Sequence, residues 1–171
     1  MAIERSGGTT LHGNPLTLVG PELKAGDRAP DFTAVGNDMK PVSLNDSAGK
    51  VRIISAVPSV DTPVCDTETR RFNQEAAGLG DLLVLTISAD LPFAQKRWCA
   101  AAGIDKVKLV SDHKDMSFGN AYGTHIKELR IESRAVFVVD QSGTLRYVEY
   151  VKEMSTEPDY AAVVAAAKKL G

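Results

Sequence analysis

The chain is poor in cysteine, in aromatic residues, in surplus charge and in long apolar runs, and each shortage excludes something. Two cysteines, Cys65 and Cys99, among 171 residues rule out a disulfide-rich secreted scaffold and argue against a cysteine-based zinc site. The three histidines, His12, His113 and His125, lie far apart and form no H-E-x-x-H or i, i+4 pair, so no metal site is expected. Twenty basic residues stand against 22 acidic ones, a net charge of −2. That argues against nucleic-acid binding through bulk positive charge, and no nucleic-acid partner is expected. The longest apolar stretches, such as Ala135 to Val139, are too short to cross a bilayer. Met1 to Gly8 contains Glu4 and Arg5 and has no apolar core, so no signal peptide, no membrane partner and a cytoplasmic location are expected. Thiols stay reduced there, and two of them are ordinarily inert core residues. No G-x-G-x-x-G or G-x-x-x-x-G-K-[ST] is present, which leaves nucleotide binding without support.

What is present reads as one domain over residues 1–171, with a β-hairpin over residues 1–20 as an appendage. Thr9 to Leu11 and Leu16 to Val19 flank the turn cluster His12-Gly13-Asn14-Pro15. Asp31 to Val35 and Val42 to Leu44 read as short strands. Three nearly continuous apolar runs, Val51–Val57, Leu82–Ser88 and Ala135–Asp140, read as strands buried on both faces. Helices are expected from Thr62 to Gly78 or Gly80, from Asp90 to Gly103 and from Tyr160 to Leu170, with a helical turn at Met116 to Tyr122. Val107 to Val110 is a further short strand, and Leu145 to Val151 returns from the turn Gln141-Ser142-Gly143. Strands alternating with helices, then a late hairpin and a last helix, imply an α/β fold with parallel strands at its centre. The order fits a thioredoxin-like fold, a central mixed sheet flanked by helices, better than a Rossmann sheet.

The segment Pro58-Ser59-Val60-Asp61-Thr62-Pro63-Val64-Cys65 joins the first buried strand to the first long helix. Thr62 is a favoured helix cap, and Pro63 after it sits where its missing N–H costs nothing. Cys65 is then the third helical residue, among unpaired backbone N–H groups at the positive end of the helix dipole. That placement favours the thiolate, which is the nucleophilic form. Phe72 and Ala76 follow on the same helix face, so Cys65 points to the core and reads equally as a sheltered nucleophile or a small buried hydrophobe. Asp61, Asp66, Glu68, Arg70 and Arg71 read as surface charge, Asp112, Lys114 and Asp115 as a solvated turn, and Arg134 as a surface cation at a strand edge.

The pattern P-x-x-x-T-x-x-C, carried by Pro58, Thr62 and Cys65, resembles the active-site signature of peroxiredoxins. The longer segments PSVDTPVCDTETRRFN, ISADLPFAQKRWC and SRAVFVVD resemble the bacterial thiol peroxidase branch of that superfamily, in register over most of the chain. The resemblance implies a peroxidase in which Cys65 attacks a hydroperoxide and becomes a sulfenic acid. Thr62 would hydrogen-bond the thiolate and the peroxide, Pro58 would shape and shield the loop, and Arg134 would supply guanidinium donors. Cys99 would resolve the sulfenic acid as an intramolecular disulfide, later reduced by thioredoxin. The loop so closed, of about 35 residues, constrains the unfolded chain by roughly 3–4 kcal/mol. Two cysteines on different helices do not meet without rearrangement, because bridging needs Cα atoms within about 7 Å; local unwinding is expected. The resemblance further implies a homodimer, a preference for organic hydroperoxides and no cofactor, since sulfur carries the redox chemistry. Two other readings remain: a thiol–disulfide oxidoreductase, disfavoured by the lack of C-x-x-C, and a redox-sensing module that uses the disulfide as a switch.

Overall fold

A computed structural model describes residues 3–171; Met1 and Ala2, which begin the expected hairpin, lie outside them. Along the chain run β1 (Glu4–Leu11), β2 (Asn14–Val19), β3 (Thr33–Gly36), β4 (Pro41–Ser43), a 3-10 turn at Leu44–Ser47, β5 (Arg52–Ala56) and α1 (Pro63–Ala76). There follow β6 (Leu83–Ser88), α2 (Pro92–Ala102), β7 (Val107–Ser111), α3 (Ser117–Tyr122), β8 (His125–Ile126) and β9 (Ile131–Glu132). The chain closes with β10 (Ala135–Val139), β11 (Leu145–Tyr150) and α4 (Tyr160–Lys168).

Seven strands form the central sheet in the order β11-β10-β5-β6-β7-β3-β4. The middle trio β5, β6 and β7 is parallel, as expected of strands linked by helical crossovers. β10 joins β5 antiparallel, and β11 and the β3–β4 pair complete the two flanks, also antiparallel. This is the mixed sheet of a thioredoxin-like fold.

Both faces of the sheet are covered, which is why its strands are apolar throughout. The two-residue period sorts them. Ile53, Val136 and Val138 join Phe72 of α1 and Val163 and Ala167 of α4 in one cluster; Trp98 and Cys99 of α2 pack against it. Ile54, Ala56, Ala135 and Phe137 join Phe118 and Tyr122 of α3 in the other. Phe118 stacks on Tyr122 at 4.2 Å, and Phe137 meets the Tyr122 ring edge-on at 5.0 Å, a geometry worth about 1 kcal/mol per pair beyond burial.

The N-terminal hairpin is more than a free ribbon. β1 begins at Glu4, earlier than the sequence suggests, because Ser6-Gly7-Gly8 is absorbed by an irregularity between Arg5 and Thr9, with Gly7 at φ +68°. β2 also pairs with β8, and β8 with β9, giving a second sheet ordered β1-β2-β8-β9. Leu18, Ile126 and Met154 form its small core. The Thr10 N–H donates to the Lys152 carbonyl at 2.8 Å, and the Met154 N–H to the Thr10 carbonyl at 2.9 Å. The hairpin thereby fixes the segment that follows β11.

Candidate active site

The site forms where β5 ends. Pro58 is buried just beyond the strand, and Asp90 anchors the turn that follows. The Ser59 hydroxyl donates to Asp90 Oδ1 at 2.8 Å and the Val60 N–H to Oδ2 at 2.9 Å. Asp90 stands two residues before α2, so the loop is tied to the start of the next helix. Thr62 caps α1 with extended backbone, and its Oγ1 accepts the Cys65 N–H at 3.4 Å. The same hydroxyl donates to the Ser59 carbonyl at 3.1 Å, and thus is turned to the loop rather than to the sulfur. Pro63 occupies the first helical position.

Cys65 is the third residue of α1 and fully buried. Above it lies Arg134, which the register of the sheet brings there: Ala135 pairs with Ala56, so the residue before β10 faces the loop leaving β5. Arg134 Nη2 donates to Cys65 Sγ at 3.3 Å. Only 2% of this arginine is exposed, contrary to the surface cation expected from its strand-edge position. A buried guanidinium must have acceptors, and four of its five N–H groups find them. Nε and Nη2 both donate to the Met154 carbonyl, at 3.0 and 2.9 Å, and Nη1 donates to Glu68 Oε2 at 2.6 Å. The fork is therefore immobilised with one edge against sulfur.

Glu68 is the residue that sequence reasoning missed. Expected on the surface, it is fully buried, and its other oxygen accepts the Ser55 hydroxyl at 2.6 Å. Burial pushes its carboxyl up to about 7, with Arg134 and Ser55 offsetting part of that rise. The signal was available: Glu68 lies three residues after Cys65 and four before Phe72, on the inward stripe that those two residues define. Asp112 corrects the reading of a solvated turn in the same way. It is 1% exposed and accepts the backbone N–H groups of Phe118 and Gly119 at 3.0 and 2.8 Å.

Cys99 occupies the last turn of α2 and is not part of this cluster. Both thiols are free. Cys99 is half-buried and packs against the apolar cluster that includes Phe72, Val107 and Leu109. Its other side lines a groove of about 450 Å³ with Asp38, Lys40, Ile104 and Lys108. Burial pushes its thiol up from the usual value. The structure thus gathers Pro58, Thr62, Cys65 and Arg134 around one turn and leaves Cys99 on the neighbouring helix. Among the described residues no three His, Cys, Asp or Glu side chains converge as metal ligands, and no helix is long and apolar enough to span a membrane.

Chemically, a buried sulfur beside a fixed, always-charged fork is equipped to carry negative charge and to have charge develop next to it. Comparison with known proteins points the same way. Residues 24–164 match the Redoxin family. A thiol peroxidase of Bacillus subtilis is 60% identical over 161 residues, covering 94% of this chain and 96% of that protein. A thiol peroxidase of Halalkalibacterium halodurans is 58% identical, covering 93% and 96%. Among solved structures, a peroxiredoxin-like protein from Aquifex aeolicus superposes with a TM-score of 0.91 at 42% identity over 99% of both chains. A thiol peroxidase from Chromobacterium violaceum shares the fold at a TM-score of 0.86 and 19% identity, covering 94% and 95%. With its sulfur, its buried fork and these relatives, the chain belongs to the Redoxin family and is a peroxiredoxin-type oxidoreductase of the thiol peroxidase branch.

Proposed function

We propose that this chain reduces hydroperoxides, organic ones and hydrogen peroxide, through Cys65, and that Cys99 and thioredoxin complete the cycle. The observation that carries the reading is the 3.3 Å contact between Arg134 Nη2 and Cys65 Sγ, made by a fork whose other donors are held by Met154 and Glu68. The Cys65 thiolate attacks the terminal oxygen of the peroxide. A sulfur–oxygen bond forms, the O–O bond breaks, and the leaving alkoxide or hydroxide takes a proton to depart as alcohol or water. Arg134 stabilises charge on the oxygens in flight. A peroxide that enters from the loop takes the hydrogen bond the Thr62 hydroxyl now gives to Ser59, and buried Pro58 limits water at the sulfenic acid. Cys99 then displaces that oxygen to give the 65–99 disulfide, which thioredoxin reduces. In the same reading the working form is a cytoplasmic homodimer that needs no cofactor or metal; sedimentation as a monomer at micromolar concentration would remove the dimer from it.

The test is mass spectrometry after one equivalent of cumene hydroperoxide. A stoichiometric 65–99 disulfide within seconds, followed by turnover with thioredoxin, is expected. Cys65→Ser abolishes the reaction; full activity in that variant defeats the proposal. Oxidation without rapid recycling would instead favour a redox sensor.

A further inference from the structure

Two residues next to the cysteines touch each other. Asp66 follows Cys65 and Trp98 precedes Cys99, and the indole Nε1 of Trp98 donates to Asp66 Oδ1 at 3.0 Å. Arg70, one turn along α1, makes three further contacts. Its Nε donates to Asp66 Oδ2 at 2.9 Å. Its guanidinium carbon lies 5.6 Å from the centre of the Trp98 ring. Its Nη1 donates at 3.3 Å to the carbonyl of Ala102, the last residue of α2. The far end of α2 is closed on Cys99 itself, whose carbonyl accepts the N–H groups of Gly103, in the left-handed conformation, and of Ile104.

The contacts therefore join the first turn of α1 to the last turn of α2. These are the two turns that must open if the sulfurs are to meet. Cys65 is enclosed beneath Arg134 and Cys99 is packed on the far helix, each free and in its own surroundings, so the bridge of the proposed cycle calls for both turns to unwind. We propose that Asp66, Arg70 and Trp98 form a clasp that sets how fast Cys99 reaches oxidised Cys65, and with it the time the sulfenic acid stays open to further oxidation. The inference rests on the disulfide cycle proposed above. In the step it governs, the Cys99 sulfur forms the S–S bond while the S–O bond of the Cys65 sulfenic acid breaks; hydroxide leaves and is protonated to water. Cys99 is oxidised, Cys65 is reduced, and no outside oxidant enters. The three clasp residues are positioning residues: they touch neither the peroxide nor either sulfur.

Exposed ion pairs and cation–π contacts are individually weak, so the clasp delays opening without forbidding it. The experiment uses the chain's one tryptophan as a built-in reporter, because opening strips the indole of its acceptor and its stacked cation. Reduced protein is mixed with cumene hydroperoxide in a stopped-flow fluorimeter, with acid-quenched samples taken for mass spectrometry. In Arg70→Ala, sulfenic acid forms at the wild-type rate. The emission change and the 65–99 disulfide then appear roughly three- to tenfold faster, and more peroxide is needed to reach the sulfinic acid. Asp66→Asn, which keeps an acceptor for the indole but loses the charge facing Arg70, falls between Arg70→Ala and wild type, and it serves as the test should Arg70→Ala not fold. A folded variant that forms the disulfide no faster than wild type overturns the clasp alone. A wild-type protein that forms no 65–99 disulfide overturns the parent cycle along with it.

Discussion

The two cysteines sit in opposite surroundings. Cys65 is fully enclosed yet meets a cation, a helix start and a capped loop, and that cation is itself held by Glu68 and Met154. Cys99 is half open, faces hydrocarbon on one side and a groove on the other, and burial alone acts on its thiol. Exposure by itself would pick Cys99, whereas the function proposed above assigns the attack to Cys65. Reactivity follows the donors a sulfur faces, and a buried thiol supplied with a fixed fork outranks an accessible one without it.

Four substitutions sharpen or break this contrast, in falling order of effect. Arg134→Ala removes the fork from Cys65 and touches nothing near Cys99. The rate of Cys65 oxidation by peroxide falls about 10²- to 10³-fold, while alkylation of Cys99 by iodoacetamide keeps its wild-type rate; equal losses at both sulfurs would dissolve the distinction. Glu68→Gln leaves the fork but removes the charge that holds it, and peroxide reduction falls roughly 10- to 100-fold.

The same variant has a pH signature. The folded carboxyl titrates near 7 and an unfolded one near its ordinary value of 4.5, so between those values the unfolded chain is the one that has lost its proton. This group's contribution to stability is thus full at low pH and declines as pH rises from 4.5 through 7. Urea denaturation across that interval shows the decline in wild type and a flatter profile in Glu68→Gln. An unchanged slope would mean that Glu68 does not carry the titration.

Thr62→Ala removes the helix cap and costs about 1 kcal/mol of stability by thermal denaturation, together with a slower reaction at Cys65. Cys99→Ser has the smallest effect on the first step. Single-turnover oxidation of Cys65 stays within about twofold of wild type, whereas the product accumulates as sulfenic acid and then over-oxidises. A large loss in that first step would mean that the two sulfurs are coupled before any bond joins them.

Local chemistry was legible from the sequence, and distant chemistry was not. The helix start at Thr62-Pro63, the third-residue position of Cys65 and the three buried strands follow from capping rules and apolar runs within a dozen residues. The partnership of Arg134 with Glu68 spans 66 positions and exists only through the register of β10 on β5. Taken singly, each of those residues obeys the rule that charges stay outside, and the pair breaks it together. The second sheet escaped notice for another reason: β8 and β9 have two residues each, too few to display any period. Glycines in β1 resemble a loop until an irregular pairing accommodates them. The resemblance to peroxiredoxins supplied a role for Arg134 that periodicity could not, and it did not supply Glu68.

The seat of Arg134 also has a bearing on how the protein comes into being. The carbonyl of Met154 holds the guanidinium, and the N–H of the same residue donates to the carbonyl of Thr10, far back in the chain. Synthesis runs from the N-terminus, so the early hairpin waits for a segment made long after it. Until that segment docks, the sulfur of Cys65 has emerged without a fixed cation beside it. The donor set at that sulfur is thus a property of the assembled fold, drawing on Thr10, Glu68 and Met154 together, and not of the start of α1 alone.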